Sequence, residues 1–181
     1  MADSIFTIGH STRSIAEFLQ VLRAHGVEQI ADVRTMPRSR HNPQYAREAL
    51  GQSLHQAGLG YRPLPMLGGL RHARADSANT GWRNLSFRGF ADYMQTEAFA
   101  DGLAELEELA QTRSTAILCA EAVPWRCHRS LIGDALEAHG WRVWDILSAR
   151  PATPHRTTPF LRIEKGRLWY PAPDSPSPRT E

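Results

Sequence analysis

The sequence predicts an α/β fold, a three-layer sandwich with a mostly parallel central sheet flanked by helices. Short apolar runs alternate with amphipathic segments along most of the chain, and strands alternating with helices build parallel sheets covered on both faces. Gly and helix-capping residues punctuate the boundaries. At 181 residues with 41% hydrophobic composition the chain suits one domain with a real core.

Residues 5–9 read as a first strand. Ser14-Ile-Ala-Glu17 is a capping-box pattern opening a helix with Ile15, Phe18, Leu19 and Leu22 on one face, ended by Gly26. Residues 28–33 form a second strand. A polar, Pro-punctuated segment at 34–43 follows, then a helix over about 44–56 closed by Gly58. A third strand is expected near 61–64. Residues 65–88 hold three Gly and no sustained period, which predicts a long Gly/Arg-rich loop, and loops of that length are commonly functional.

One helix is expected over 90–111, with Leu103, Leu106, Leu109 and Ala110 facing the core and Glu105, Glu107 and Glu108 facing water. Residues 115–119 form a buried central strand, 127–139 a helix and 141–147 another strand. Residues 162–170 suit a hairpin turning at Lys165-Gly166. The domain spans residues 1–170, and the Pro/Ser-rich tail at 171–181 is expected to be disordered.

No apolar run approaches the roughly 20 residues that span a bilayer, and no secretory pattern opens the chain, so a cytoplasmic protein without a membrane partner is expected. Two cysteines make no disulfide framework and are expected as reduced thiols. The net charge of +2 hides an asymmetry. Nine Arg against Glu48 and Asp76 lie between Arg34 and Arg88, whereas residues 89–124 carry seven acids against Arg113. Clustered Arg favours phosphate or carboxylate partners, although Arg outnumbers Lys twenty to one in this chain generally.

The C-terminal ends of parallel strands share one edge, where ligands bind. The groups expected there are His10 with Ser11, Asp32 with Arg34, and Cys119 with Glu121. His10 suits proton transfer or a backbone hydrogen bond, and Ser11 a ligand contact or a helix cap. Asp32 and Arg34 project to one side, toward a ligand or as an internal ion pair. Arg34, Arg38, Arg40 and His41 crowd one loop, which suits an anion clamp. The Leu67-Gly68-Gly69 run permits close backbone approach or positive φ, and Arg71, His72, Arg74 and Trp82 near it suit a lid with a stacking surface.

Residues 119–129, Cys-Ala-Glu-Ala-Val-Pro-Trp-Arg-Cys-His-Arg, concentrate the chemistry. Three readings stand side by side. Cys127, at a helix start beside His128 and Arg129, suits a nucleophile. Cys119, Cys127 and His128, with His10, suit zinc, although the spacing matches no standard finger or ribbon. In the third, Glu121 is the acid/base, the helix N-terminus holds an anion, and both thiols are packing residues. The Cys119-to-Arg126 step is one residue longer than the Cys-x5-Arg loop of thiol phosphatases.

The motifs Thr7-Ile-Gly-His-Ser11, Asp32-Val-Arg34 with Pro37 and Ser39, Asn42-Pro43, Leu67-Gly-Gly69, Phe90 with Tyr93, and Cys119-Ala-Glu121 with Pro124 and Cys127-His-Arg129 closely resemble the family called domain of unknown function 488. They span residues 5 to about 147. The resemblance implies a compact α/β domain with these positions in one site, and it carries no assigned reaction. The residues themselves point to a hydrolase or group-transfer enzyme for a small anionic or nucleotide-like ligand, with Arg34, Arg40 and Arg129 on the anion. Glu121 or Cys127 would act with help from His10 or His128. No nicotinamide or flavin motif is present, and the cofactor is left unknown. The alternatives are a nucleic-acid-binding or regulatory module using Arg-rich loops, and a zinc-binding protein.

Overall fold

The computed structural model describes residues 3–37 and 40–173. It is the expected three-layer sandwich around a six-stranded sheet in the order β3-β2-β4-β1-β5-β6. The strands are β1 (Ser4–Gly9), β2 (Gln29–Asp32), β3 (Gly60–Pro63), β4 (Thr115–Cys119), β5 (Arg142–Ile146) and β6 (Thr153–Pro154). The first five are parallel, and β6 adds an antiparallel edge to β5 that the sequence did not signal. Four of the five β4 residues lie at 0% exposure, as a central parallel strand requires.

The helices are α1 (Ile15–Ala24), α2 (Arg47–Gln56), α3 (Leu85–Tyr93), α4 (Glu97–Thr112) and α5 (Arg129–Ala138). Right-handed crossovers explain their placement. The steps from β1 to β2 and from β2 to β3 run one way along the sheet, and α1 and α2 pack on one face through Phe18, Leu22, Leu50 and Leu54. The steps from β3 to β4 and from β4 to β5 run the other way, and α3, α4 and α5 fill the opposite face through Phe90, Leu103, Leu106 and Leu131. The loops leaving the adjacent strands β1 and β4 therefore diverge to opposite faces. That divergence opens a crevice at the sheet's C-terminal edge.

Local chemistry sets the boundaries. Ser14 Oγ accepts from the Glu17 amide and starts α1, and Gly26 at φ +65° turns the chain out of it. The single helix expected over 90–111 is instead two, because Asn84 caps α3 and Thr96 caps α4 through the Phe99 amide. A 3-10 turn, Pro43–Tyr45, precedes α2. The terminal hairpin forms from β7 (Arg162–Glu164) and β8 (Arg167–Trp169), with Lys165 and Gly166 both at positive φ.

The segment expected as a loop over 65–88 carries a 3-10 turn at Pro65–Leu67 and the start of α3. Between them it is tied down by Asp92, whose carboxylate accepts from the Arg74 amide, Ser77 Oγ and Asn79 Nδ2. Ordered packing extends past residue 170, since Pro171 is buried and the Ala172 amide reaches Thr80. The rest of the expected tail, from residue 174, lies outside the described residues, as do Arg38 and Ser39.

A buried polar network that the sequence did not reveal joins β1, β5 and α5 to the C-terminal segment. His155 Nε2 meets Asp134 Oδ1 at 2.8 Å and its Nδ1 lies 3.7 Å from Asp145 Oδ2. Thr7 donates to Asp145 and Tyr170 to Asp134. Burial alone would lower the His155 pKa, but the hydrogen bonds and charges of Asp134 and Asp145 outweigh it and raise the value to about 9. A raised value stabilises the fold below the unfolded pKa and is lost as pH rises through the folded one. Denaturant unfolding should therefore show an advantage of wild type over His155→Asn that is greatest below pH 6.5 and shrinks as pH passes about 9. The shrinkage should be of order 2 kcal/mol, and a pH-independent difference would contradict the charged assignment.

Candidate functional site

A cavity of about 830 Å³ occupies the crevice beyond β1, β2 and β4. The strand ladder continues past the strand ends to shape it. The His10 amide donates to the Cys119 carbonyl and the Ser11 amide to the Ala120 carbonyl. The chains touch here, since a Cβ on Gly9 would overlap the Glu121 carbonyl oxygen. Only glycine permits that approach.

Of the residues expected at the site, His10, Ser11, Arg34, Cys119, Glu121, Cys127 and His128 line the cavity. Asp32, Arg40 and Arg129 do not. Asp32 sits behind the wall, where its carboxylate takes two hydrogen bonds from the Arg34 side chain at 2.9 and 2.6 Å and one from Tyr61. Arg34 also donates to the Tyr45 carbonyl, so its charge is already balanced. Arg40 is exposed and outside the cavity.

Arg129 is fully buried beneath the 120–128 loop. Its Nη1 meets Cys119 Sγ at 2.5 Å and the Glu121 carbonyl at 2.6 Å, Nη2 meets the Ala122 carbonyl, and Nε donates to Thr7 Oγ1. Every nitrogen of the guanidinium is committed. The direct anion contact expected of Arg129 is thus replaced by a structural one, and the cavity-lining arginine of this stretch is the exposed Arg126. Its signal is present in the same eleven residues, but nothing local distinguishes an arginine folded inward from one facing out.

The two thiols differ. Burial opposes ionisation of Cys119, yet the hydrogen bond from Cys127, the charge and hydrogen bond of Arg129, and the Glu121 backbone bring its pKa down to about 7. Burial and the neighbouring Cys119 hold Cys127 well above the ordinary thiol value. The sequence favours Cys127 as the activated thiol, and the structure reverses that order. Its position before α5 is as expected, but Arg129 presents its cation to Cys119 and only its backbone amide, at 3.4 Å, to Cys127.

His128 is locked in place. Its Nε2 lies 3.0 and 3.1 Å from the Val33 and Leu67 carbonyls, so Nε2 carries the proton and Nδ1 faces Cys127 Sγ at 3.6 Å. Burial lowers its pKa to about 4. Gly69 makes room for it, since a Cβ there would lie 2.5 Å from His128 Nδ1. Of the two uses expected for the Leu67-Gly68-Gly69 run, close approach is the one found, and Gly68 is at negative φ.

His10 stacks on Tyr45 with ring centroids 4.1 Å apart, and its Nδ1 donates to the Ser11 carbonyl, leaving Nε2 to accept a proton. Burial lowers its pKa, which keeps it neutral near pH 7. Ser11 adopts φ 51°, the left-handed region, and lines the cavity while Ser14 supplies the helix cap. The stacking lid does not form. Trp82 packs inward against Phe87 and Phe160, and the Arg71 guanidinium lies over the Tyr93 ring at 3.6 Å. Asn84 and Ser86, at the start of α3, are lining residues that sequence reasoning missed, and exposed Met36 and Leu70 give the mouth an apolar side.

The zinc reading finds no support in this geometry. Among the described residues no group of three or more His, Cys, Asp or Glu is arranged to hold a metal ion. His128 presents a protonated Nε2 to carbonyls, and Cys119 already faces a cation.

Fold and site together define a mostly parallel α/β protein with a cavity lined by two thiols at the C-terminal edge of its sheet. The chain belongs to the family described as domain of unknown function DUF488, whose sequence model matches residues 14–136. The match takes in the Asp32, Gly69 and 119–129 motifs and begins after Thr7 to Ser11. No curated protein matches the chain. No solved structure matches it either. No helix among the described residues is long and apolar enough to cross a membrane.

Removing a buried, fully bonded cation strands its acceptors. Arg129→Met should lower unfolding free energy by about 3 kcal/mol or more in denaturant titration, whereas a change no larger than about 0.5 kcal/mol, typical of surface positions, would contradict the assignment.

Proposed function

We propose that the cavity is the active site of a hydrolase or group-transfer enzyme acting on a small anionic or nucleotide-like substrate, with Cys119 as the nucleophile. The observation that carries this reading is a cavity-lining thiol touched by a buried guanidinium, whose pKa is brought down to about 7, against the opposing effect of burial, by Cys127 and then by that guanidinium. A thiolate is the reactive form of cysteine, and the lowered pKa of Cys119 favours it. Cys119 attacks an electrophilic acyl or phosphoryl centre, the leaving group departs, and a covalent thioester or thiophosphate remains on the sulfur. Water or an acceptor then attacks the adduct and returns the thiolate. His10 Nε2 accepts the proton of that water or acceptor.

Several groups favour an anionic substrate. Arg126 lines the cavity with its side chain exposed, and no ion pair among the described residues holds it. The α5 N-terminus begins at the cavity wall, and helix N-termini favour negative charge. Arg34, neutralised by Asp32, serves as a wall donor, and Ser11 adds a hydroxyl. Glu121 lines the open side and is the second group available for proton transfer, while its carbonyl anchors Arg129.

The nucleic-acid reading rests on free arginines, and many of these are engaged. Arg34, Arg62 and Arg74 pair with Asp32, Glu105 and Asp76, and Arg71 lies on Tyr93. These engagements favour the enzyme.

Wild-type protein is expected to release nitrophenolate from at least one of p-nitrophenyl acetate, phosphate and sulfate, with a transient covalent adduct on Cys119 in intact mass spectra. Cys119→Ser should abolish both signals, and His10→Gln should slow turnover roughly 10²- to 10⁴-fold. Arg126→Ala should raise KM for the anionic esters and leave that for the acetate unchanged. Equal turnover by Cys119→Ser and wild type would sink the reading, and salt-sensitive DNA binding without turnover would replace it.

A further inference from the structure

Cys127 has no part in the transfer chemistry above, yet it lines the same cavity as Cys119. Arg129 links the pair, with Nη1 on Cys119 Sγ and its backbone amide on Cys127 Sγ. One residue thus touches both thiols, one at the end of β4 and the other in the turn before α5.

We propose that Cys119 and Cys127 are a peroxidatic and resolving pair that reduces a hydroperoxide small enough to enter the cavity. In the first step the Cys119 thiolate attacks the terminal peroxide oxygen and the O–O bond breaks. Cys119 becomes a sulfenic acid, and the departing hydroxide or alkoxide takes a proton from water, giving water or an alcohol. In the second step Cys127 sulfur attacks the Cys119 sulfur, a disulfide forms, and the sulfenic hydroxyl leaves as water with the Cys127 proton. Two electrons pass from the thiol pair to the peroxide. A small dithiol returns the disulfide to two thiols and is itself oxidised.

The division of labour follows from the surroundings. Cys119 is the attacking sulfur because the cation touches it, and Cys127 keeps its proton until a neighbouring sulfur becomes electrophilic. His128 is a positioning residue for the second step. Its Nδ1, fixed as an acceptor by the two carbonyls on Nε2, lies 3.6 Å from Cys127 Sγ, along the path of the departing proton. Access selects the oxidant. Cys119 is 2% and Cys127 5% exposed, which admits a small peroxide to the cavity wall and excludes the disulfide of a folded protein partner.

This inference shares the Cys119 thiolate with the transfer reading but needs no ester substrate. The test is peptide mapping of the full chain after one equivalent of hydrogen peroxide, with alkylation of remaining thiols. Wild type should lose two hydrogen masses as a Cys119–Cys127 disulfide that dithiothreitol reverses. Cys127→Ser and Cys127→Ala should each instead accumulate a dimedone-reactive sulfenic acid on Cys119. Persistence of that sulfenic acid in wild type, with Cys127 still alkylated, would overturn the resolving role. Failure of peroxide to modify Cys119 in any of the three proteins would overturn the peroxidatic one. If Cys119 then still forms an adduct with a nitrophenyl ester, the transfer reading stands without this one, and if it forms neither, both fall.

Discussion

A guanidinium with no exposure to water organises this protein. Isolated in the interior, the Arg129 cation would cost several kcal/mol, so each of its nitrogens must find an acceptor. Those acceptors are the Cys119 sulfur, the Glu121 and Ala122 carbonyls and the Thr7 hydroxyl, drawn from β4, the 120–128 loop and β1. The loop is held in shape by its own carbonyls pointing inward. Thr7 accepts from Arg129 and donates to Asp145, which extends the arrangement into the His155 network. Two buried cations and two buried carboxylates lie on that path, and their charges balance when Cys119 is protonated. Ionising Cys119 adds a negative charge directly against Arg129, where it is best tolerated.

Backbone proximity is the second constraint. Gly9 lets β1 lie against the Glu121 carbonyl, and Gly69 lets the 68–84 segment lie against the His128 ring. Between these contacts the chain has little freedom to place either thiol elsewhere. The cavity is consequently a product of topology, since β1 and β4 send their helices to opposite faces, and of two missing side chains that let its walls close.

Much of this was legible from the residues. Alternation of strand and helix signals identified the parallel sheet, because periodicity and caps are local properties. The convergence of His10, Arg34 and Cys119 on one rim followed from that topology alone, and seven expected residues meet there. Direction inside the site was not legible. Arg126 and Arg129 are three residues apart and chemically identical, and only the path of the loop sends one outward and the other beneath it. The same limit reversed the thiols, since helix position favours Cys127 while the contact of Arg129 favours Cys119. The His155 network joins residues far apart in the chain, whose pairing no local pattern encodes. The division between α3 and α4 is a different matter, for Asn84 and Thr96 are ordinary cap residues whose signal was outweighed by a continuous apolar stripe.

The central claim is that Cys127 and the buried Arg129 cation bring the pKa of the Cys119 thiol down to about 7, against the opposing effect of burial. An ultraviolet titration of thiolate absorbance tests it most directly, comparing wild type with Cys119→Ser across neutral and alkaline pH. The account predicts one thiolate step near pH 7 in wild type that is missing in Cys119→Ser. A wild-type protein whose first step comes at or above pH 9, the ordinary thiol value, or a neutral step that survives in Cys119→Ser, would contradict it.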